Sequence, residues 1–491
     1  MNKEYFMARN TYCIRLLINT PTLVCILLSV FVSSLFSASK AYSTEQKISL
    51  HDVLVSTLKH HPQVNQALTI QQQAQASQLQ SQGTFDWQVE QESFARTSGF
   101  YNGWLLDQEI SRALPVANAK VAGGYRISDG SFPIYEDVNR TLSGGEAYVE
   151  LELSLLRNRN IDKNRAAVID ADIDLDLAGE KQKLILNKLL LEASLQFIDW
   201  MRAQQSLEIV EQLVLLAKNR QNAISQKVAA GELARITLTE FTVTLLRREA
   251  ELISMQQALE NQRIGLSMFL RTSDGTPLIL PATTQVSTAL EASLKTLPPK
   301  PDLINALNRH PQIAEFELEI AKLKAKLNLN KDAVRPQLDL KVKLSNDIGS
   351  GSQTLEGFNS YVGLDFSVPI GQREAKGRIE SNRAELARVS SQQREARERI
   401  NMRLDQALAA LRNFSQLSAL RESQAELAQQ LMNEEQLRFD SGDSDLFLLN
   451  ARETDMARAR LAALEANISL LKQHFVILAS SATLHERVRL Q

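Results

Sequence analysis

The distribution of proline is the feature that most restricts how this chain folds. No proline lies between Pro133 and Pro277, and none follows Pro369. Proline interrupts a helix because it lacks an amide N–H and its ring collides with the preceding turn. Within these stretches, residues 164–227 and 373–438 are rich in Ala, Leu, Gln, Glu and Arg, which favour helix. Each segment predicts one helix about 95–100 Å long, several times longer than an average globular helix.

Apolar residues near the C-terminus repeat with the spacing of a coiled coil. Six of them follow one another at intervals of 3, 4, 3, 4 and 3 residues: Leu461, Leu464, Ile468, Leu471, Phe475 and Leu478. A heptad stripe of this kind is buried only against a partner helix. The long helices are therefore predicted to pack side by side, and the charged run at 393–399 to be a solvent-exposed helix face.

The two halves of the chain repeat the same short patterns. Residues 54–64 and 303–313 share two leucines four positions apart, then His-Pro-Gln and an aliphatic residue. Proline at the first helical position favours a helix start, so each His-Pro-Gln predicts the beginning of a helix. Residues 227–231 and 438–442 share a short break that ends in glycine. The first pair of copies lies 249 residues apart and the second 211, so the first half is predicted to carry an insertion of 38 residues.

The N-terminus is typical of a secretory signal peptide, predicted to span residues 1–41. A basic start precedes a long apolar run and a group of small residues, with candidate cleavage sites after Ala38 and Ala41. An uncleaved membrane anchor is the alternative, because the apolar run is long for a signal. Cleavage would remove both cysteines, Cys13 and Cys25, and leave a mature chain without disulfides.

The repeats and the proline positions predict the organisation of the remaining chain. It comprises a first structural repeat at 42–297 with its insertion at 97–145, a Pro-rich linker at 298–302, a second structural repeat at 303–483, and a C-terminal tail at 484–491. Closely spaced prolines make such a linker stiff.

Four segments alternate between apolar and polar residues and are predicted strands: 85–94, 146–155, 337–345 and 361–370. Their length and alternation suit strands of a membrane barrel, with lipid outside and water inside. An ordinary sheet with one wet face would give the same pattern. The signal peptide favours the membrane interpretation, and no segment after it has the roughly 18 consecutive apolar residues of a membrane helix.

Four strands cannot close a membrane barrel alone. Lipid tolerates no open sheet edge, and the smallest barrels have about eight strands. Several identical chains are therefore expected to share one barrel. The predicted fold class is mainly α with a small β part, built from tandem-duplicated long coiled-coil helices.

This ordered duplication resembles the TolC-like outer-membrane efflux protein family, over about residues 48–483. The strongest local matches are 438–442 with 449–451, and 362–370. The resemblance implies a homotrimer in which four strands per chain complete a twelve-stranded barrel in the outer membrane. A helical tunnel would extend into the periplasm. The alternative is a periplasmic coiled-coil scaffold without a pore.

The resemblance also implies partners and a docking site. In the family, the two turns between long helices dock a periplasmic adaptor protein, which links the duct to an inner-membrane transporter of the RND or ABC type. The matching positions here are Lys227, Val228, Gly231, Leu233, Arg438, Phe439 and Gly442. Plain hairpin turns without a partner are the alternative.

Two features depart from the family pattern. Aspartates just beyond the second turn form a constriction in relatives, and they do not carry over residue by residue. Asp443 and Asp445 lie closer to the turn, where they could line the entrance or cap the next helix. The insertion at 97–145 is predicted to be an external or rim element, with an additional hairpin that enlarges the barrel as the alternative.

Sequence motifs for catalysis are missing. We find no phosphate-binding loop, nucleophile elbow or zinc motif, and the adjacent His60 and His61 are interpreted as a cap at a helix start rather than a metal site. The net charge of −2 is mildly acidic, and nothing in the sequence suggests nucleic-acid binding. The chain is predicted not to be an enzyme and to need no cofactor or metal. A passive duct could carry small molecules or a secreted protein, and the sequence does not choose between them.

Overall fold

The computed structural model describes residues 47–134, 139–287 and 297–489. The predicted signal peptide, 1–41, lies outside them. The chain divides into two units. The described residues of the smaller unit are Lys47 and Thr283–Gln285, and the larger one, Ile48–Ala282 with Val286–Gln491, holds the helices and the large sheet.

The helices are numbered in chain order. They are α1 (Leu50–His60), α2 (Pro62–Gln82), α3 (Lys163–Ala229), α4 (Arg235–Leu266), α5 (Lys300–Asn308), α6 (Pro311–Asp332), α7 (Arg373–Asp440), α8 (Leu446–Ser480) and α9 (Leu484–Arg489). The strands are β1 (Lys47–Ile48), β2 (Gln88–Arg96), β3 (Gly103–Ala113), β4 (Lys120–Gly130), β5 (Glu146–Ser154), β6 (Gln285–Val286), β7 (Gln337–Asp347) and β8 (Gly357–Ser367).

The two very long helices are confirmed. Helix α3 has 67 residues and α7 has 68, each about 100 Å at 1.5 Å per residue. The start of α3 is fixed by Asp162, whose carboxylate accepts the amide N–H groups of Asn164 and Arg165 at 2.8 and 3.0 Å. Such a cap satisfies amide donors that have no partner within the helix.

The duplicated His-Pro-Gln patterns begin helices α2 and α6, as predicted, and the histidines are the caps. Nδ1 of His61 accepts the N–H of Gln63 at 3.2 Å, and Nδ1 of His310 accepts the N–H of Gln312 at the same distance. Both caps need an unprotonated Nδ1. Burial lowers the pKa of His310 to about 4, with a contribution from the charge of Arg403, and burial also lowers the pKa of His61.

The helices pack as neighbours along their lengths. Towards the sheet, α2 contacts α3, α3 contacts α6, and α6 contacts α7; towards the far end, α4 contacts α3, α3 contacts α8, and α8 contacts α7. The predicted heptad stripe is part of this core, with Ile468, Phe475 and Leu478 no more than 2% exposed. Helix α8 is long and apolar enough in composition to cross a membrane, but it packs against α3 and α7.

Two predicted connecting segments are partly helical. Helix α5 begins at Lys300, within the predicted linker at 298–302. Helix α9 occupies most of the predicted tail, and its residues Leu484 and Val488 join the core between α1, α3 and α8.

The large sheet contains six strands, and the predicted number of four is wrong. All four predicted strands are present, as β2, β5, β7 and β8. The order is β2-β3-β4-β5-β7-β8, and every neighbouring pair is antiparallel. The insertion at 97–145 supplies β3 and β4 as a hairpin between β2 and β5. The insertion is therefore an additional hairpin, not the external or rim element that we expected.

Candidate functional site

The first predicted tip is the turn between α3 and α4. The amide of Gly231 donates to the carbonyl of Val228 at 3.1 Å, and the amide of Glu232 donates to the carbonyl of Lys227 at 2.9 Å. Gly231 has a φ of 80°, a left-handed conformation that only glycine adopts at little cost. Lys227, Gly231 and Leu233 are exposed, and Val228 is half-buried.

The second tip, between α7 and α8, repeats this geometry. Gly442 donates to the carbonyl of Phe439 at 3.1 Å and has a φ of 83°, and Asp443 donates to the carbonyl of Arg438 at 2.8 Å. Arg438 and Gly442 are exposed, whereas Phe439 is half-buried with its ring 6.0 Å from the Arg220 guanidinium. The structure thus places all seven predicted docking positions at two equivalent turns.

The two tip aspartates differ in their roles. The carboxylate of Asp445 accepts the amide N–H of Leu448 at 2.7 Å and so caps α8. Asp443 is exposed, and its carbonyl accepts from Arg438 at 3.2 Å. Capping therefore accounts for Asp445, and lining of the entrance stays a prediction for both residues.

A buried ionic cluster joins the two helical hairpins above the tips. Glu453 of α8 is 1% exposed, and its carboxylate pairs with Arg220 of α3 at 2.5 Å and with Arg248 of α4 at 2.9 Å. Arg220 also donates to Gln436 of α7 at 2.5 Å. The Glu453 carboxylate therefore joins three helices, α3, α4 and α8, and Arg220 extends the cluster to α7. An apolar cluster that includes Val214 packs beside it.

Sequence reasoning missed this cluster. The sequence does carry a signal for the acidic member of the cluster. Leu449, Glu453 and Met456 are spaced by four and three residues, as on a heptad seam, and all three are buried. An acidic residue at a seam position requires a buried cation, but the sequence does not show that the cations come from the other hairpin.

The sheet is the second part of the candidate site. The exposure of its two faces is the reverse of that expected for a sheet in water. On one face of the central strands, polar side chains are nearly inaccessible, with Ser111 2%, Tyr148 6% and Ser345 7% exposed. On the other face, Val149 is 55% exposed and Leu344 42%. A water-soluble sheet would bury its apolar face.

The polar face carries a continuous network of charges. Arg126 pairs with Asp107 at 2.9 Å and with Glu146 at 3.9 Å, and Lys343 pairs with Glu146 at 3.2 Å. Lys341 lies 3.0 Å from Asp365. These pairs connect β3 to β4, β4 to β5, β5 to β7 and β7 to β8. Such a face suits water or a charged cargo, while the opposite face suits hydrocarbon.

Comparisons with known proteins identify the fold. No protein-family model and no curated protein matches the chain. Solved structures do match. The outer-membrane channel OprN is 16% identical with a TM-score of 0.63, over 91% of this chain and 95% of that one. The outer membrane protein VceC from Vibrio cholerae is 13% identical with a TM-score of 0.63, over 88% and 96%. The open MtrE channel of Neisseria gonorrhoeae is 13% identical with a TM-score of 0.62, over 89% of each chain. The chain therefore has the TolC-like fold.

Proposed function

We propose that this chain is the subunit of a homotrimeric exit duct in the outer membrane of a tripartite export machine. The duct would be passive and would catalyse no reaction. A periplasmic adaptor would dock at the tips and connect it to an inner-membrane transporter, of the RND or ABC type, which supplies the free energy. The cargo would be small molecules or a secreted protein.

The observation that carries this proposal is that the sheet exposes its apolar face rather than burying it. An exposed apolar face opposite a charged face is stable where hydrocarbon contacts the first and water the second. The sheet leads directly into α3 and α7, which run about 100 Å to the two tips. This arrangement supports a path that begins at the tips and ends in the membrane.

The similarity in fold supports the same conclusion. OprN and MtrE are described as outer-membrane channels, and VceC as an outer membrane protein. The match extends over about nine-tenths of this chain.

A pair of neighbouring substitutions tests the membrane role. Val149→Lys places a charge on the apolar face and, in lipid, should cost about 2–4 kcal/mol. The control Glu150→Lys places a lysine one position away on the charged face, opposite Lys343, and should cost less than about 1 kcal/mol. We expect the wild type and the control in the outer-membrane fraction as trimers that conduct ions in planar bilayers, with the Val149 variant depleted from that fraction.

The alternative scaffold gives the opposite result. In a water-soluble sheet, a lysine at the exposed Val149 would change stability by less than about 0.5 kcal/mol. The wild-type chain would then purify from the periplasm without detergent. That outcome would refute both the membrane location and the duct.

A further inference from the structure

The inserted hairpin, β3 with β4, is an integral part of the sheet rather than an appendage. Rows of facing residues cross all six strands without a break. One row on the apolar face comprises Val89, Ile110, Gly123, Val149, Leu344 and Ser360. The next row, on the charged face, comprises Glu90, Glu109, Gly124, Tyr148, Ser345 and Asn359. The hairpin therefore has the same two faces as the rest of the sheet.

Side chains on the charged face fix the hairpin in position. The hydroxyl of Tyr148, on β5, donates to Asp107 at 3.0 Å and to Glu109 at 3.3 Å, both on β3. Its ring crosses Gly124 of the intervening strand β4, where an added Cβ would lie 2.5 Å from the phenol. Arg126 of β4 adds an ion pair with Glu146 of β5 at 3.9 Å. Displacement of the hairpin from the sheet would break all of these contacts.

The sheet ends in two open edges. Strands β2 and β8 each pair on one side only among the described residues. Six strands are too few to close, since the smallest membrane barrels have about eight. An even number of antiparallel strands leaves β2 and β8 running in opposite directions, so β8 of one copy can extend antiparallel beside β2 of the next.

We propose that neighbouring copies pair β8 with β2, so that the trimer closes an eighteen-stranded barrel in place of the twelve strands that the resemblance implies. The proposal rests on the proposed function, because it takes the trimer and the lipid from it. The occupant of each open edge is a second copy of this chain.

The wider barrel would have an acidic interior. The acidic residues on the charged face are Glu90, Glu92, Asp107, Glu109, Glu146, Glu150, Glu152, Asp339, Asp347 and Asp365. The basic ones are Arg96, Lys120, Arg126, Lys341 and Lys343. This twofold excess of acid would favour cations and positively charged cargo in the outer part of the duct.

Cysteine pairs test the strand order in membranes. Ser93→Cys on β2 is combined in turn with cysteines at Phe358, Ser360, Val362 and Leu364, the apolar-face positions of β8. We expect oxidation to link separate copies into covalent dimers and trimers for one or two adjacent positions. Ser93→Cys with Leu106→Cys is the control, because these residues face each other within one chain. Oxidation of Ser93→Cys with Val149→Cys would link β2 to β5 only if the hairpin left the sheet, and that result would overturn the proposal.

Electron microscopy of the detergent-solubilised trimer gives the count directly. We expect eighteen strands in cross-section. A variant in which an Asn-Gly turn replaces residues 97–145 should have twelve strands and a barrel about 1.5-fold narrower, because circumference scales with strand number. A wild-type trimer with twelve strands would refute the wide barrel and leave the duct intact. A chain that forms no membrane trimer would refute the duct as well.

Discussion

Neutralising Glu453 should increase local opening of the helices near the tips. Among the charged residues of the helical part that the structure describes, this single change should have the largest effect. Its carboxylate is 1% exposed and pairs with two guanidinium groups, those of Arg220 and Arg248, whose side chains are 11% and 5% exposed. Glu453→Gln would leave both cations buried without a counter-charge. Removing one partner of a buried pair costs about 3–5 kcal/mol. At 1.4 kcal/mol per tenfold, the equilibrium for local opening should rise between about 100-fold and 4000-fold.

Hydrogen exchange followed by mass spectrometry measures this change on the solubilised protein. We expect faster amide exchange in the second half of α3, the first half of α4 and the first half of α8, where the cluster lies. The matched control is Glu465→Gln on the same helix, where the exposed carboxylate lies 3.4 Å from Arg202. A surface pair is worth at most about 1 kcal/mol, so the control should change exchange by less than about fivefold.

Equal exchange rates in the Glu453 and Glu465 variants would refute the assignment of Glu453 as the residue that joins α3, α4 and α8. A double variant separates charge from packing. Glu453→Met with Arg248→Met removes a buried charge of each sign and should recover part of the protection, because replacing a buried ion pair by apolar residues is often neutral or stabilising, while Arg220 keeps only its neutral partner Gln436. Recovery would show that the unpaired cation, and not a packing defect, opens the tips.

Three further predictions concern local features. The pKa of His310 is lowered to about 4, so its cap stabilises the fold fully above pH 6.5, and the stability should fall as the pH drops from 6.5 towards 4. The loss of stability should be at most about 3 kcal/mol. His310→Asn should make this loss smaller, which measurements of Tm against pH would show. Gly442→Ala should cost about 1–2 kcal/mol through its positive φ alone, since nothing lies within 4 Å of an added Cβ, and Gly442→Asn should lower Tm less. Asp445→Ala should destabilise the tip by about 1 kcal/mol through its lost cap, measured by hydrogen exchange, and Asp443→Ala by less. Unchanged single-channel cation selectivity in the double aspartate variant would remove both residues as entrance constrictions.

The helical part could be predicted from sequence because its signals are local. Missing prolines and heptad spacing define α3, α7 and α8, and each His-Pro-Gln marks one helix start. The two glycines, Gly231 and Gly442, mark the tips through the backbone conformation that they alone adopt easily. Each of these signals acts within a few residues, so no knowledge of the rest of the fold was needed.

Strands β3 and β4 were harder to predict because their alternation is interrupted. Gln108 and Arg112 lie on the otherwise apolar face of β3, and two glycines, Gly123 and Gly124, occupy the centre of β4. Gly124 makes sense only beside Tyr148, which covers it from the next strand. Strand number in this fold depends on such contacts between distant residues, which the pattern of one segment does not show.

In the proposed duct, the position of the hairpin limits how the width of the barrel can change. Strands in the sheet alternate in direction, and β5 leads into α3. One extra strand would reverse β5 and direct α3 to the wrong side of the membrane, whereas two return the chain to its original heading. The width of the proposed barrel can thus change only in steps of a whole hairpin, and each step leaves the tips, about 100 Å away, chemically unchanged. The width of the proposed barrel and the proposed adaptor docking at the tips are therefore free to evolve separately.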